Sequence, residues 1–327
     1  MNYVSRSFAL TIPQLPGELE TPIANAYLWC RVVDTVEDDP GISLDSKKAF
    51  FIRINDVLHG RACSGEVATE ITPVLSDSTP AAERELIEKL ALIDAVYKSL
   101  PVSQQRCIQS CVDTMTQGML DFCDNSGAGL DTMADLQRYC YCVAGVVGEL
   151  LTELFCDFSP DIEEHRPLLE KYSVAFGEGL QLTNIIKDVW VDQQRDCCWL
   201  PRDIFSSGGY DLQQLAPDYK AQEFKTCIDR LISEAMARLN EALTYTLLIP
   251  PEHKGIRVFC LWAVGMAVAT LAKIQRSPEY YQGQQVKISR RYAVFIMKST
   301  SLAAGNDYLI KMLIKGFSRG VSDTKRS

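Results

Sequence analysis

The sequence predicts an all-α protein. Apolar residues recur at three- and four-residue steps through nine long segments. The period-two alternation that a half-buried strand needs is scarce. The breaks between segments, rich in Gly, Pro and Ser, are short against the segments themselves. No stretch has the composition of a flexible interdomain linker and no repeat of fixed period is present, so residues 1–327 are expected to form one domain.

Pro22–Val33 opens the series, and its apolar run leads straight into the acidic stretch DTVEDD (34–39). Ser46–Leu58 follows, and the polar stretch Gly60–Thr79 reads as a break. Ala81–Leu100 carries apolar residues at Leu86, Leu90, Ile93 and Tyr97, the spacing of one helical face. Ser103–Phe122 does the same at Ile108, Val112, Met115 and Met119. Asn125–Gly129 separates it from Met133–Phe155, and Ser159–Asp161 separates that from Pro167–Trp190. Beyond the Ser206–Gly209 break come Ala221–Leu247 and Gly255–Ile274, parted by Pro250–Pro251. The Ser277–Gly283 break precedes the last helix, Tyr292–Leu313.

Hydrophobic residues make up 47% and charged residues 23% of the chain, ample for a core. The net charge of −9 argues against a nucleic-acid partner, which calls for a basic surface, and favours cations. Twelve cysteines form no CxxC pair and only three histidines are present, so a zinc site has little to build from. Most of the cysteines lie in apolar helical contexts, as reduced thiols of a cytosolic protein do. The N-terminus has no long apolar segment of a signal peptide. The apolar run Val258–Ala272 falls short of the ~20 residues of a membrane span. It reads as a buried core helix or the lining of an apolar cavity.

Asp34 and Asp38 are four residues apart. On a helix that is about 40° of rotation and about 6 Å of rise, so both carboxylates point the same way. Unpaired like charges so placed weaken a helix, and a C-terminal helix end disfavours anions further. A solvated helix end is one reading; a bound cation that offsets the charge is the other. A second cluster, NIIKDVWVDQQRD (184–196), repeats the pattern. Asn184, Asp188 and Asp192 recur at four-residue steps, with Ile185, Ile186, Val189 and Val191 on other faces. Two such helices facing each other would present four carboxylates and an amide, a hard-oxygen donor set suited to Mg²⁺. Mg²⁺ takes one or two carboxylates and completes its shell with water and substrate phosphates, so a phosphorylated substrate is expected. Arg31, Lys187, Arg6, Lys287, Arg290 and Arg291 lie beside these stripes or near the chain ends. Singly each reads as a surface charge; as a set they fit cationic clamps on a diphosphate, arginine best of all.

These motifs resemble the squalene/phytoene synthase family over nearly the whole chain, from SRSF (5–8) to VKISRR (286–291). Between them lie YLWCRVVDTVEDD (27–39), YCYCVAGVVG (139–148), GLQLTNIIKDVWVDQQ (179–194) and WLPRDIF (199–205), in the family's order. The resemblance implies an all-α, single-domain class I isoprenoid synthase bundle around a central cavity. It implies head-to-head (1′-1) condensation of two prenyl diphosphates, in which one diphosphate ionises with Mg²⁺ help and a cyclopropylcarbinyl diphosphate forms. In squalene synthases a hydride from NADPH quenches the last cation. Physically this is leaving-group stabilisation in a dry apolar cavity, because water would hydrolyse a free carbocation.

By resemblance, the Mg²⁺ ligands are Asp34, Asp38, Asn184, Asp188 and Asp192. Diphosphate contacts are implied for Ser5, Arg6, Ser7, Arg31, Lys187, Arg290 and Arg291. Tyr139 takes the position proposed for proton removal or cation steering; a ring simply packed inward is the alternative. Phe8, Tyr27 and Gln181 are placed at the substrate cavity. Ala144, Gly145, Val147 and Gly148 are small, which suits close approach of an isoprenoid tail or, equally, tight helix–helix packing. Some positions depart from the family. Cys197 stands where arginine is frequent, with Arg195 two residues earlier, and Lys187 also stands where arginine is common. Asp196 extends the four-step stripe, as a further ligand or as a loop cap.

DTVEDD, DQQ, FCLWAVGMAVATLAKIQ and QVKISRR resemble squalene synthases more than phytoene synthases. Farnesyl diphosphate is the expected substrate, presqualene diphosphate the intermediate and squalene the product. NADPH is implied by the resemblance alone, since Gly177 and Gly179 fall inside a helix and no GxGxxG follows a strand. A dehydrosqualene or phytoene synthase, needing no reductant, is the alternative. A relative that has lost catalysis and serves as a binding or assembly protein is a third reading, against which the intact aspartates count. GFSRGVSDTKRS (316–327) carries no hydrophobic anchor. A cytoplasmic enzyme with no transmembrane anchor, peripheral at the membrane to release its lipid product, is the expectation.

Overall fold

A computed structural model describes residues 8–123 and 128–319, with only the backbone of Phe8. The described residues are all-α, as the periodicity requires, apart from one isolated bridge between Leu130 and Pro201. They divide into two compact units.

The first unit comprises residues 8–123 and 150–160. Its central helix, Gly17–Asp38, buries Trp29, Val32, Val33 and Val36 completely. Around it lie Leu44–Leu58, Ser64–Ile71, Ala81–Glu88, Leu90–Ser99 and Val102–Phe122. Pro16, Pro80 and Pro101 each stand just before a first helical residue, where a missing amide donor costs nothing. Ser43 caps the second long helix, its hydroxyl accepting from the Ser46 amide at 3.3 Å.

Three elements here differ from the expectation. The first helix begins at Gly17 and runs on to Asp38, so most of DTVEDD is helical. Ser64–Ile71 is a helix inside the stretch read as a break, because Val67, Ala68 and Ile71 give even this polar segment a buried face. Ala81–Leu100 is two helices divided at Lys89, whose φ of −95° and ψ of 16° leave the helical region.

The second unit comprises residues 128–149 and 161–319. Thr132 and Asp135 form a reciprocal capping box that starts Met133–Cys140. The chain then makes a π-helical turn, Tyr141–Gly145, and continues helically to Phe158. Arg166–Gln193 packs along Ala221–Leu248 and against the π turn. Glycines permit these approaches. A Cβ at Gly148 would overlap the Ser173 carbonyl, one at Gly177 would overlap the Ala144 carbonyl, and one at Gly179 would sit 3.1 Å from the Leu239 amide.

Lys254–Arg276 completes the core of this unit. It has 23 residues and is, like Met133–Phe158, long and apolar enough by composition to cross a membrane, which corrects the shorter run expected. Yet 78% of its most apolar window is buried inside the protein, the setting of a core helix. Arg257 on this helix is 1% exposed. Its guanidinium donates to the carbonyls of Leu247, Ile249 and Ala304 and pairs with Asp307 at 2.7 Å, so one buried charge serves several helix ends. The last predicted helix is two, Arg290–Ala303 and Asp307–Phe317, divided at Ala304–Asn306. Asn306 caps the second of them, accepting from the Leu309 amide at 3.1 Å. Among the described residues no disulfide joins the cysteines.

Candidate active site

In the first unit the acidic cluster closes the Gly17–Asp38 helix, with no basic residue in its last turn. Arg31 is the nearest compensating charge. Its Nη1 donates to Asp34 Oδ2 at 3.0 Å and its Nη2 to Glu83 Oε1 at 2.6 Å. Glu83 is a functional neighbour that the sequence alone does not reveal. It lies 52 residues from Arg31 on a separate helix, and no local pattern signals the pairing. Burial pushes the Asp34 carboxyl up to about 6; Arg31 opposes this, while Asp38 and Glu83 add to it. Burial, then Asp38 and Asp34, push Glu37 well above the carboxylate range, against Lys47. Lys47 in turn donates to the Glu37 carbonyl, satisfying one of the helix's open acceptors. Asp38 is exposed.

Asp39 has a different task from its neighbours. It is buried, and its carboxylate accepts from the Gly41 amide at 2.7 Å, from the amide and hydroxyl of Ser76 and from the Thr79 hydroxyl. Burial alone would raise this carboxyl, but the four donors outweigh it and hold Asp39 below the usual range. It anchors the loop that leads into the Glu83 helix, rather than facing solvent.

In the second unit Asn184, Asp188 and Asp192 lie on the partly open side of Arg166–Gln193: Asn184 is exposed and both aspartates are half-buried. Ile185, Ile186 and Val189 are buried and Val191 is half-buried, so the stripe and the core side of the helix are distinct. Lys187 Nζ lies 3.0 Å from both Asn184 Oδ1 and Asp188 Oδ2. The helix stops at Gln193, and the Asp192 carbonyl accepts from the amides of Arg195 and Cys197. Asp196 therefore leaves the stripe, with φ of 56° in the turn that follows.

Tyr139 is buried and its ring stacks on Trp199 at 3.9 Å between centroids and 9° between planes. It stands two residues before the π turn's Tyr141, whose hydroxyl donates to Glu149 at 3.3 Å. Trp199 opens the WLPRDIF motif, and no local pattern signals its stacking on Tyr139. Gly145 and Gly148 lie in the crossing with Arg166–Gln193, whereas Ala144 and Val147 are half-buried. Tyr27 and Gln181 are half-buried, and Arg290 and Arg291 are exposed in the first turn of their helix. Ser5, Arg6 and Ser7 and the side chain of Phe8 lie outside the described residues.

The donor chemistry fits Mg²⁺. Asp34, Glu37 and Asp38 crowd one helix end, with Arg31 opposite Asp34 and Lys47 opposite Glu37; burial is the first cause of the raised Asp34 and Glu37 carboxyls, and neighbouring carboxylates add to it. The second stripe likewise offers only oxygen donors. Among the described residues no three His, Cys, Asp or Glu side chains gather into a metal-holding group by themselves. An ion that takes one or two carboxylates and fills its shell with water and phosphate needs no such group.

Comparison with known proteins identifies the family. The squalene/phytoene synthase family model matches residues 1–292. The chain is 31% identical over 306 residues to the squalene synthase of Gibberella zeae, covering 91% of this chain and 62% of that protein. It is 28% identical over 300 residues to the Mus musculus squalene synthase, covering 91% of this chain and 67% of the other. The chain thus spans about two thirds of the length of such relatives. Among solved structures, that of TcSQS with a ligand superposes with a TM-score of 0.79 at 24% identity over 98% of this chain and 95% of that one. A dehydrosqualene synthase in complex with ligand gives 0.65 at 20% identity over 95% and 93%. At these identities the structures show a shared fold. The order of the motifs and a family match over residues 1–292 agree: the chain belongs to the squalene/phytoene synthase family.

Proposed function

We propose that the protein condenses two molecules of farnesyl diphosphate head-to-head, through presqualene diphosphate, and reduces the product to squalene. One observation carries the reading. A chain matched to the family over residues 1–292, with squalene synthases 27–31% identical to it, retains Asp34 and Asp38 on one apolar helix and Asn184, Asp188 and Asp192 on another.

Mg²⁺ held by these oxygen ligands would neutralise charge that grows on the departing diphosphate. The chain's own residues supply the rest. Arg31, already fixed between two carboxylates, presents a directional cation for a diphosphate oxygen. Lys187 is held by Asn184 and Asp188 and offers a mobile point charge. Ser5, Arg6, Ser7, Arg290 and Arg291 are assigned to the same anion. Burial and stacking on Trp199 fix the Tyr139 ring, which suits a group that steers a cation or takes a proton. Ala144, in the π turn, and Val147, just after it, are the small side chains assigned to the isoprenoid tails. NADPH would supply the closing hydride; the residues that bind it are not assigned.

The test incubates purified protein with farnesyl diphosphate and Mg²⁺, with and without NADPH, and identifies the lipid formed. Squalene that appears only with NADPH is the expected result. Dehydrosqualene in both reactions would replace the squalene assignment with a reductant-free synthase. No lipid product and no diphosphate release would remove both and leave a binding role.

A further inference from the structure

Seven of the thirteen exposed large hydrophobic side chains among the described residues fall between Tyr292 and Met312. They belong to the last two helices, Arg290–Ala303 and Asp307–Phe317. On the first, Ile296, Thr300 and Ala303 face inward and satisfy its core contacts. Tyr292, Phe295 and Leu302, spaced by three and seven, form a second stripe that the fold leaves in solvent, Leu302 at 90% exposure. On the second, Ile310, Ile314 and Phe317 face inward while Tyr308, Leu309 and Met312 remain exposed. The Tyr292 and Phe295 rings each lie 6.3 Å from the buried Phe317 ring, which ties the start of the first helix to the end of the second. At the other end only Ala304–Asn306 separates the two helices.

Charge distinguishes this face from the rest of the chain. Residues 292–319 carry Lys298, Lys311, Lys315 and Arg319 against a single anion, Asp307, within a chain of net charge −9. Asp307 is itself paired with the buried Arg257. The flanking cations oppose self-association of this face with its own copy, because an isologous contact would set like charges against like. Exposed apolar and aromatic residues bordered by lysine and arginine match the requirements of an anionic bilayer surface, which accepts apolar side chains at headgroup depth and attracts basic residues. The family match ends at residue 292, so the face lies almost wholly beyond it.

We infer that the helical pair Arg290–Phe317 is a docking surface for anionic lipid bilayers. The helices lie on the surface through Leu302, Tyr308, Leu309 and Met312, and Lys298, Lys311 and Lys315 hold them there. The docking is independent of the reaction assigned above.

The test is co-sedimentation of the full chain with vesicles of phosphatidylcholine alone and with a third phosphatidylglycerol. Wild type should bind the anionic vesicles at least tenfold more tightly than the neutral ones, and the preference should shrink as salt rises. The Leu302→Ser, Leu309→Ser, Met312→Ser variant should lose most of this binding while keeping its thermal midpoint within a few degrees, since all three side chains are exposed. Lys311→Glu with Lys315→Glu, which leaves the apolar stripe intact, should lose the anionic preference. Equal or absent binding to both vesicles in wild type would overturn the inference, as would unchanged binding by both variants. A concentration-dependent oligomer that the serine variant abolishes, without vesicle binding, would assign the face to a protein contact instead.

Discussion

Asp39 shows how far one acidic side chain can differ from its neighbours. Asp34 and Glu37 are pushed upward by burial first and then by neighbouring carboxylates, Asp38 in both cases, whereas Asp39 is held down by donors from Gly41, Ser76 and Thr79. A carboxyl whose folded pKa is depressed stabilises the fold fully above its unfolded value of about 3.9 and loses that contribution as pH falls through the folded value. Asp39→Asn keeps the shape but removes the charge-assisted bonds, which is expected to cost about 2 kcal/mol at pH 7. Chemical denaturation from pH 7 to pH 3 should show the two proteins converging below about pH 4. A constant difference across that range would assign the effect to packing. The four-residue spacing of the aspartates was legible from the sequence because helical geometry is local. The division of labour among Asp34, Asp38 and Asp39 was not, because it depends on Glu83 and on a loop about forty residues away.

Helices were legible where the apolar period is long and the ends carry Pro, Ser or Thr. Val102–Phe122, Arg166–Gln193, Ala221–Leu248 and Lys254–Arg276 lie within a few residues of their expected limits. The division at Lys89 has no Gly or Pro to announce it, and Ser64–Ile71 is too short and polar for its period to stand out. The two glycines of VAGVVG allowed either close approach of a lipid tail or helix packing. Gly148 lies on the Ser173 backbone, so the helix crossing depends on it. Gly148→Ala gains up to about 1 kcal/mol of helix propensity but forces the crossing apart at a cost of about 1–3 kcal/mol. Its melting temperature should fall. Gly316→Ala, with no heavy atom within 4 Å of the new methyl, should raise the melting temperature by a few degrees. The reverse order would contradict the packing assigned to Gly148.

At the level of the whole chain, acid and base are segregated. A net charge of −9 coexists with a basic, apolar final helical pair, and the two aspartate stripes lie on separate helices in separate units. Family membership was readable from motif order, since several short motifs in sequence are far more specific than either stripe alone. The docking face was not, because an exposed stripe and a core stripe share one period until burial tells them apart. The proposed role of each stripe is to hold Mg²⁺ against a diphosphate. Release of inorganic diphosphate from farnesyl diphosphate tests it most directly, measured on wild type, Asp38→Asn and Asp188→Asn at matched thermal stability. Wild type should release diphosphate only with Mg²⁺ present, and each variant should be slower by on the order of 10²-fold or more. Wild-type rates in both variants, or release unaffected by chelation of Mg²⁺, would contradict the account.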